Sequence, residues 1–168
     1  ALLLVRRGEG AERFGAWGLV VLVLAIGTGS FLFHTFATPW AGLADVTPIG
    51  LFMLLYFGLA LRRFLRLPFW AAGLGLIGFA AALWAAGGIN CDGGPCLNGS
   101  VGYFPAFAAL VGLGGVLAAR RHPAAPALLG AGLIFAISLT FRSVDRAVCA
   151  DTAMIGTHFL WHLLNATV

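Results

Sequence analysis

The sequence predicts an all-α polytopic membrane protein, a seven-helix transmembrane bundle forming one domain over residues 1–168. Three observations predict it. Of the 168 residues, 61% are hydrophobic and only 10% charged, with a mean hydropathy of +0.98; a soluble domain of this size carries about a quarter charged residues to cover its surface. The apolar residues are gathered into long stretches separated by short polar interruptions. The basic residues, all arginine, fall unevenly on alternate interruptions. Seven spans of about 20 residues consume roughly 140 residues, so only short connections are left and no extramembrane domain is expected.

Taken in order, residues 1–5 are apolar and stop at Arg6 and Arg7. Five residues cannot cross a bilayer, and a signal peptide would place its basic segment first, so this piece reads as the trailing stub of a first helix that is mostly absent. Six full spans follow at about 14–39, 46–61, 67–89, 101–119, 124–141 and 152–168. Each is a solid apolar run rather than an alternating one, which excludes transmembrane strands. Gly73, Gly75 and Gly78 inside the third run fit close helix packing, and Trp17, Trp40 and Trp70 near span ends fit the membrane interface.

Numbering the interruptions alternately gives one face Arg6, Arg7, Arg13, Arg62, Arg63, Arg66, Arg120 and Arg121. The other face receives Arg142 and Arg146 beside Asp45, Asp92, Asp145 and Asp151. The positive-inside rule makes the first face cytoplasmic. The C-terminus is then cytoplasmic and a complete first helix starts outside. The net charge of +4 reports this topology, and with no basic stripe interleaved with aromatics no nucleic-acid partner is expected. All three cysteines fall on the outer face, where disulfides are permitted. A Cys91 to Cys96 bridge is expected, which leaves Cys149 over.

Polar side chains among apolar helices are expensive and ask for a reason. His34 lies near the outer end of its helix, with Ser30 four residues earlier on the same face. His158 and His162 share one face of the last helix at i, i+4 spacing. Asp45 is expected to open the third helix at the same outer level. Two imidazoles four apart suit a divalent metal, and a third from another helix completes the three-ligand set of a catalytic zinc site with an open position. Asp45 can take a proton or orient a ligand, and the Ser30 hydroxyl can stabilise a developing oxyanion. An HxxxH pair alone is more often an interhelical hydrogen-bonding pair or a haem-ligand pair; the matching depth of three histidines, an aspartate and a serine reverses that preference. His122, between Arg121 and Pro123, reads as a loop residue. Asp145 reads as a local ion pair with Arg142 or Arg146.

The segment Gly27-Thr28-Gly29-Ser30-Phe31-Leu32-Phe33-His34 resembles the S-x-x-x-H element of the alkaline ceramidases and their wider membrane-hydrolase superfamily. Asp45, followed by Pro48, looks like the aspartate of that family's next helix. Thr157-His158-Phe159-Leu160-Trp161-His162 resembles its C-terminal H-x-x-W-H-type element, and residues 141–149, with Asp145 and Cys149, are similar to the segment before it. The resemblance runs from Ser30 to His162. It implies an intramembrane zinc-dependent amidase that hydrolyses ceramide, a membrane lipid, to a sphingoid base and a fatty acid. It also implies that His34, His158 and His162 bind one zinc ion while Asp45 and Ser30 assist catalysis. The adiponectin and progestin receptors share a similar residue set with a more distant aspartate, so the spacing here favours the ceramidase branch. The ceramidases carry an acidic Trp-Cys calcium-binding segment before the first helix, and nothing in residues 1–14 matches it, which leaves Ca2+ dependence open. Two other readings remain on the residues themselves: a non-enzymatic receptor or transporter with a structural metal or proton relay, and a bis-histidine haem protein, for which the Ser and Asp have no use.

Overall fold

The structure, a computed structural model, describes residues 11–91, 94–152 and 155–168. The apolar stub at residues 1–5, Arg6, Arg7 and Asp92 lie outside the described residues. Six α-helices are found among the described residues: α1 (Ala11–Phe36), α2 (Pro39–Arg63), α3 (Phe69–Gly87), α4 (Phe104–Ala119), α5 (Ala125–Val148) and α6 (His158–Asn165). The seven-helix expectation is corrected to that extent. Five helical stretches are long and apolar enough to cross a membrane, namely Arg13–Phe36, Pro39–Arg63, Phe69–Gly87, Cys96–Ala119 and Ala125–Val148. Such apolar runs become helices because only a helix satisfies each backbone N–H and C=O within its own segment.

The last expected span, residues 152–168, is corrected most. Its helix has eight residues, about 12 Å at 1.5 Å per residue, too short to cross a bilayer. The apolar composition of this stretch is real, but residues 149–152 turn and Gly156 takes φ +70°, so no continuous helix runs through it.

The chain divides into two compact units, Ala1–Ile77 and Gly78–Val168. In the first, α1 and α2 form a helix pair joined by only two residues. Ala37 has φ +49°, and Thr38 is extended (φ −101°, ψ 158°) ahead of Pro39 in the first turn of α2, as steric clash with the proline ring demands. The helix therefore begins at Pro39 rather than at 46, and Asp45 lies within it instead of opening it. A polar residue inside a helix interrupts the apolar run without interrupting the helix.

Pro48, buried inside α2, has no N–H to give to the Ala44 carbonyl four residues back. That carbonyl faces α1 at buried Gly29, where an added Cβ would overlap it and would sit 3.0 Å from the Asp45 Cα. Gly15 and Gly18, on the same side of α1, pack under Leu59 and Leu55 of α2. In α3, Gly75 packs against Leu61, whereas a Cβ at Gly73 or Gly78 would meet nothing within 4 Å; of the three glycines expected to mediate close packing, only one does. Arg62 donates to the Leu67 carbonyl and lies 3.8 Å over the Phe69 ring, closing the turn between α2 and α3.

In the second unit, β1 (Asn90–Cys91) pairs antiparallel with β2 (Gly94–Pro95). The expected Cys91–Cys96 disulfide closes this hairpin, and Cys149 is free. A 3-10 segment, Cys96–Tyr103, follows; Leu97, Asn98 and Gly99 within it are left-handed (φ +49°, +54° and +80°). It leads into α4. The α4/α5 contact again uses glycine, with Gly114 under Leu129 and Gly132 under Val111. α5 continues to Val148, beyond the expected end at 141, and so carries Arg142, Asp145 and Arg146 on the helix.

Gly29→Ala should lower the thermal stability of the detergent-solubilised protein by about 1–3 kcal/mol, the usual cost of overpacking. Gly27→Ala, where a Cβ meets nothing within 4 Å, should be neutral or slightly stabilising. Equal melting temperatures for the two variants would remove the close-approach argument.

Candidate metal centre

In the first unit, Ser30 and His34 are one turn apart on the final stretch of α1, with His34 exposed in the last turn. Gly29 brings the backbone of Asp45 against the turn that carries Ser30. The structure thus draws Ser30, His34 and Asp45 to neighbouring positions on an antiparallel helix pair. Asp45 is half-buried, and its Oδ1 is a buried oxygen with no hydrogen-bond partner among the described residues. A buried carboxylate oxygen left without a donor is costly.

In the second unit, His158 opens α6 and His162 lies one turn on, with ring centroids 4.8 Å apart and planes at 78°. Both are half-buried. An i, i+4 pair separated by this distance presents two imidazoles to one point beyond the helix. The helix that bears them is anchored by Trp161, which is only 4% exposed. Its ring meets Tyr103 edge-on at 5.0 Å and Phe135 at 6.0 Å. Arg142 lies 5.1 Å from the Trp161 ring and 5.3 Å from that of Tyr103, cation–π distances that suit a guanidinium.

Polar bonds to α5 fix both ends of α6. At its C-terminal end the fully buried Ser138 hydroxyl donates to the Trp161 carbonyl at 3.1 Å and lies 2.9 Å from the Asn165 side-chain oxygen. At its N-terminal end Asp145 Oδ1 accepts from the backbone N–H groups of Thr157 at 2.6 Å and His158 at 2.8 Å, and the Thr157 hydroxyl donates to the Phe141 carbonyl at 2.7 Å. The expected ion pair is corrected here. Asp145 is taken up by backbone amides and Arg142 by aromatic rings, because helix starts leave N–H groups that an anion satisfies well. His122 behaves as the loop residue expected, its Nδ1 accepting from the Ala124 N–H.

Gly29, Ser138 and Asn165 were not among the expected site residues. A signal for the second existed: Ser138 and Asp145 are seven residues apart, two turns along one face of a mostly apolar helix. Thr140 and Ser143 obscure it, since they merely bond carbonyls of their own helix. No family model, curated protein or solved structure matches the chain.

Ser138→Ala should cost about 1–2 kcal/mol of stability, the usual range for a buried hydrogen bond lost. Asn165→Ala should cost less, and the double variant should fall short of the sum because the two groups share one contact. A fully additive cycle, measured by thermal unfolding, would show that they act independently.

Proposed function

We propose that the protein is an intramembrane zinc-dependent amidase acting on ceramide or a related lipid amide, with its site towards the extracytoplasmic face. The observation that carries this reading is the i, i+4 histidine pair of α6, His158 and His162, with ring centroids 4.8 Å apart, and we assign His34 as the third ligand. The proposed donor set fits zinc, since three imidazoles are the composition of a catalytic rather than a structural zinc site. The unpartnered buried oxygen of Asp45 fits a group that works on water or steadies a ligand. Bound zinc would supply Lewis acidity and make water reactive at neutral pH.

The remaining roles belong to the chain. Asp45 takes a proton from the attacking water and returns it to the leaving amine nitrogen as the amide C–N bond breaks. The Ser30 hydroxyl donates a hydrogen bond to the acyl oxygen as it gains negative charge. The products are a carboxylic acid and a long-chain amine, both retained by the bilayer. The resemblance of the Ser30–His34, Asp45 and His158–His162 elements to the alkaline ceramidases supports this choice of substrate class. The arginine distribution supports the orientation.

Elemental analysis of the purified protein should find about one zinc per chain, lost in His158→Ala, and lipid extracts should show ceramide-derived fatty acid by mass spectrometry. Zinc-free wild type that still hydrolyses ceramide would overturn the metal mechanism, and metal-loaded protein without hydrolysis of any lipid amide would favour a receptor or transporter. Asp45→Asn should lower turnover by about 100-fold or more, the scale of a lost general base, while zinc content stays near that of wild type. Equal loss of both would make Asp45 a metal support instead.

A further inference from the structure

We infer that Asp145 is the positioning residue for the His158/His162 pair, a latch on α5 that sets the depth and rotation of the short helix carrying both imidazoles. For its purpose in metal binding, the inference rests on the reading above.

An eight-residue helix is too short to hold itself together in isolation, so its place must come from what it touches. Its own N-cap gives no help: Thr157 makes no side-chain cap hydrogen bond, and its hydroxyl is committed to the Phe141 carbonyl. Asp145 fills that role from the neighbouring helix. One carboxylate oxygen accepts from two successive N–H groups, those of Thr157 and His158, which tail N-terminal turns expose. Charge-assisted bonds of this kind are about twice as strong as neutral ones, and the negative charge also suits the positive end of the helix.

The chain before the helix is shaped to admit this carboxylate. Gly156 is buried with φ +70°, and an added Cβ there would overlap Asp145 Oδ1. Any residue but glycine is therefore excluded twice, by backbone conformation and by the latch itself. The Gly156 N–H is in turn held by the Thr152 hydroxyl at 2.9 Å. Because one of the two N–H groups belongs to His158, the latch acts on the backbone of a proposed metal ligand. His162, one turn on, follows as part of the same rigid turn. Asp145 itself touches no substrate and is not a catalytic residue.

The test uses the full chain in detergent micelles, freed of metal and titrated with Co2+, with backbone exchange followed by hydrogen–deuterium mass spectrometry. In the wild type the Thr157 and His158 amides should exchange at least about tenfold more slowly than the flanking turn, as hydrogen-bonded amides do. Exchange as fast as that of the turn overturns the proposal without any variant. Asp145→Ala should speed these amides, weaken Co2+ binding by about 10–100-fold, the range for an outer-sphere partner, and change the visible d–d spectrum. Asp145→Asn, which keeps an acceptor oxygen, should fall between the two. Ser138→Ala separates this role from general loosening: it should lower stability while leaving the Thr157 and His158 amides slow. An Ala variant with wild-type exchange and a wild-type Co2+ spectrum overturns the latch. Wild-type protein that takes up no Co2+ sinks the metal reading, and the exchange data then judge Asp145 by themselves.

Discussion

A polar backbone group inside an apolar slab has no water to turn to, and the main interruptions of helical bonding in this chain are arranged around that constraint. At Pro48 the helix loses an N–H, and the Ala44 carbonyl is left facing α1. At residues 156–158 a new helix starts and exposes N–H groups, which Asp145 accepts. Midway along that helix the Trp161 carbonyl accepts an additional bond from the Ser138 hydroxyl of α5. Two residues that look out of place in an apolar sequence, a proline and an aspartate, sit where the backbone bonding is incomplete.

The same constraint explains why the candidate chemistry gathers where it does. Ser30 follows the glycine that lets α2 approach α1, and Asp45 lies beside the carbonyl freed by Pro48. His158 is the first residue of a helix whose start is secured from outside it. Each such group lies beside a tertiary contact that fixes its backbone. Pre-organisation of this kind is what a reactive site needs, because side chains borne on backbone that cannot drift keep their geometry without further support.

The membrane class, most helix positions, the disulfide and the histidine pair were legible in the sequence, because each depends on local signals: apolar run length, cysteine spacing and i, i+4 register. Where the structure departs from these expectations, local backbone geometry or contacts between distant residues override the apolar pattern. Asp45 breaks the apolar run at a point where the helix itself continues, so the run predicts a start at 46 whereas α2 begins at Pro39. The run at 152–168 is apolar enough to span, yet Gly156 and the turn before it leave only eight helical residues. Gly29 and Gly73 look alike in sequence, and only the helix opposite decides that one is indispensable to packing and the other is not. Asp145 sits between two arginines within four residues of it, and proximity in sequence favoured an ion pair that the helix geometry did not make.

Asn98-Gly99-Ser100 is an acceptor sequence for N-linked glycans, yet the Asn98 amide donates to the Arg142 carbonyl at 3.0 Å and Ser100 is wholly buried. A glycosyl transferase must reach the asparagine nitrogen and engage the hydroxyl two residues on. In the folded unit the asparagine amide is engaged and the hydroxyl is buried, so folding closes this sequon to modification, and a sugar added before folding would keep the loop from docking on α5.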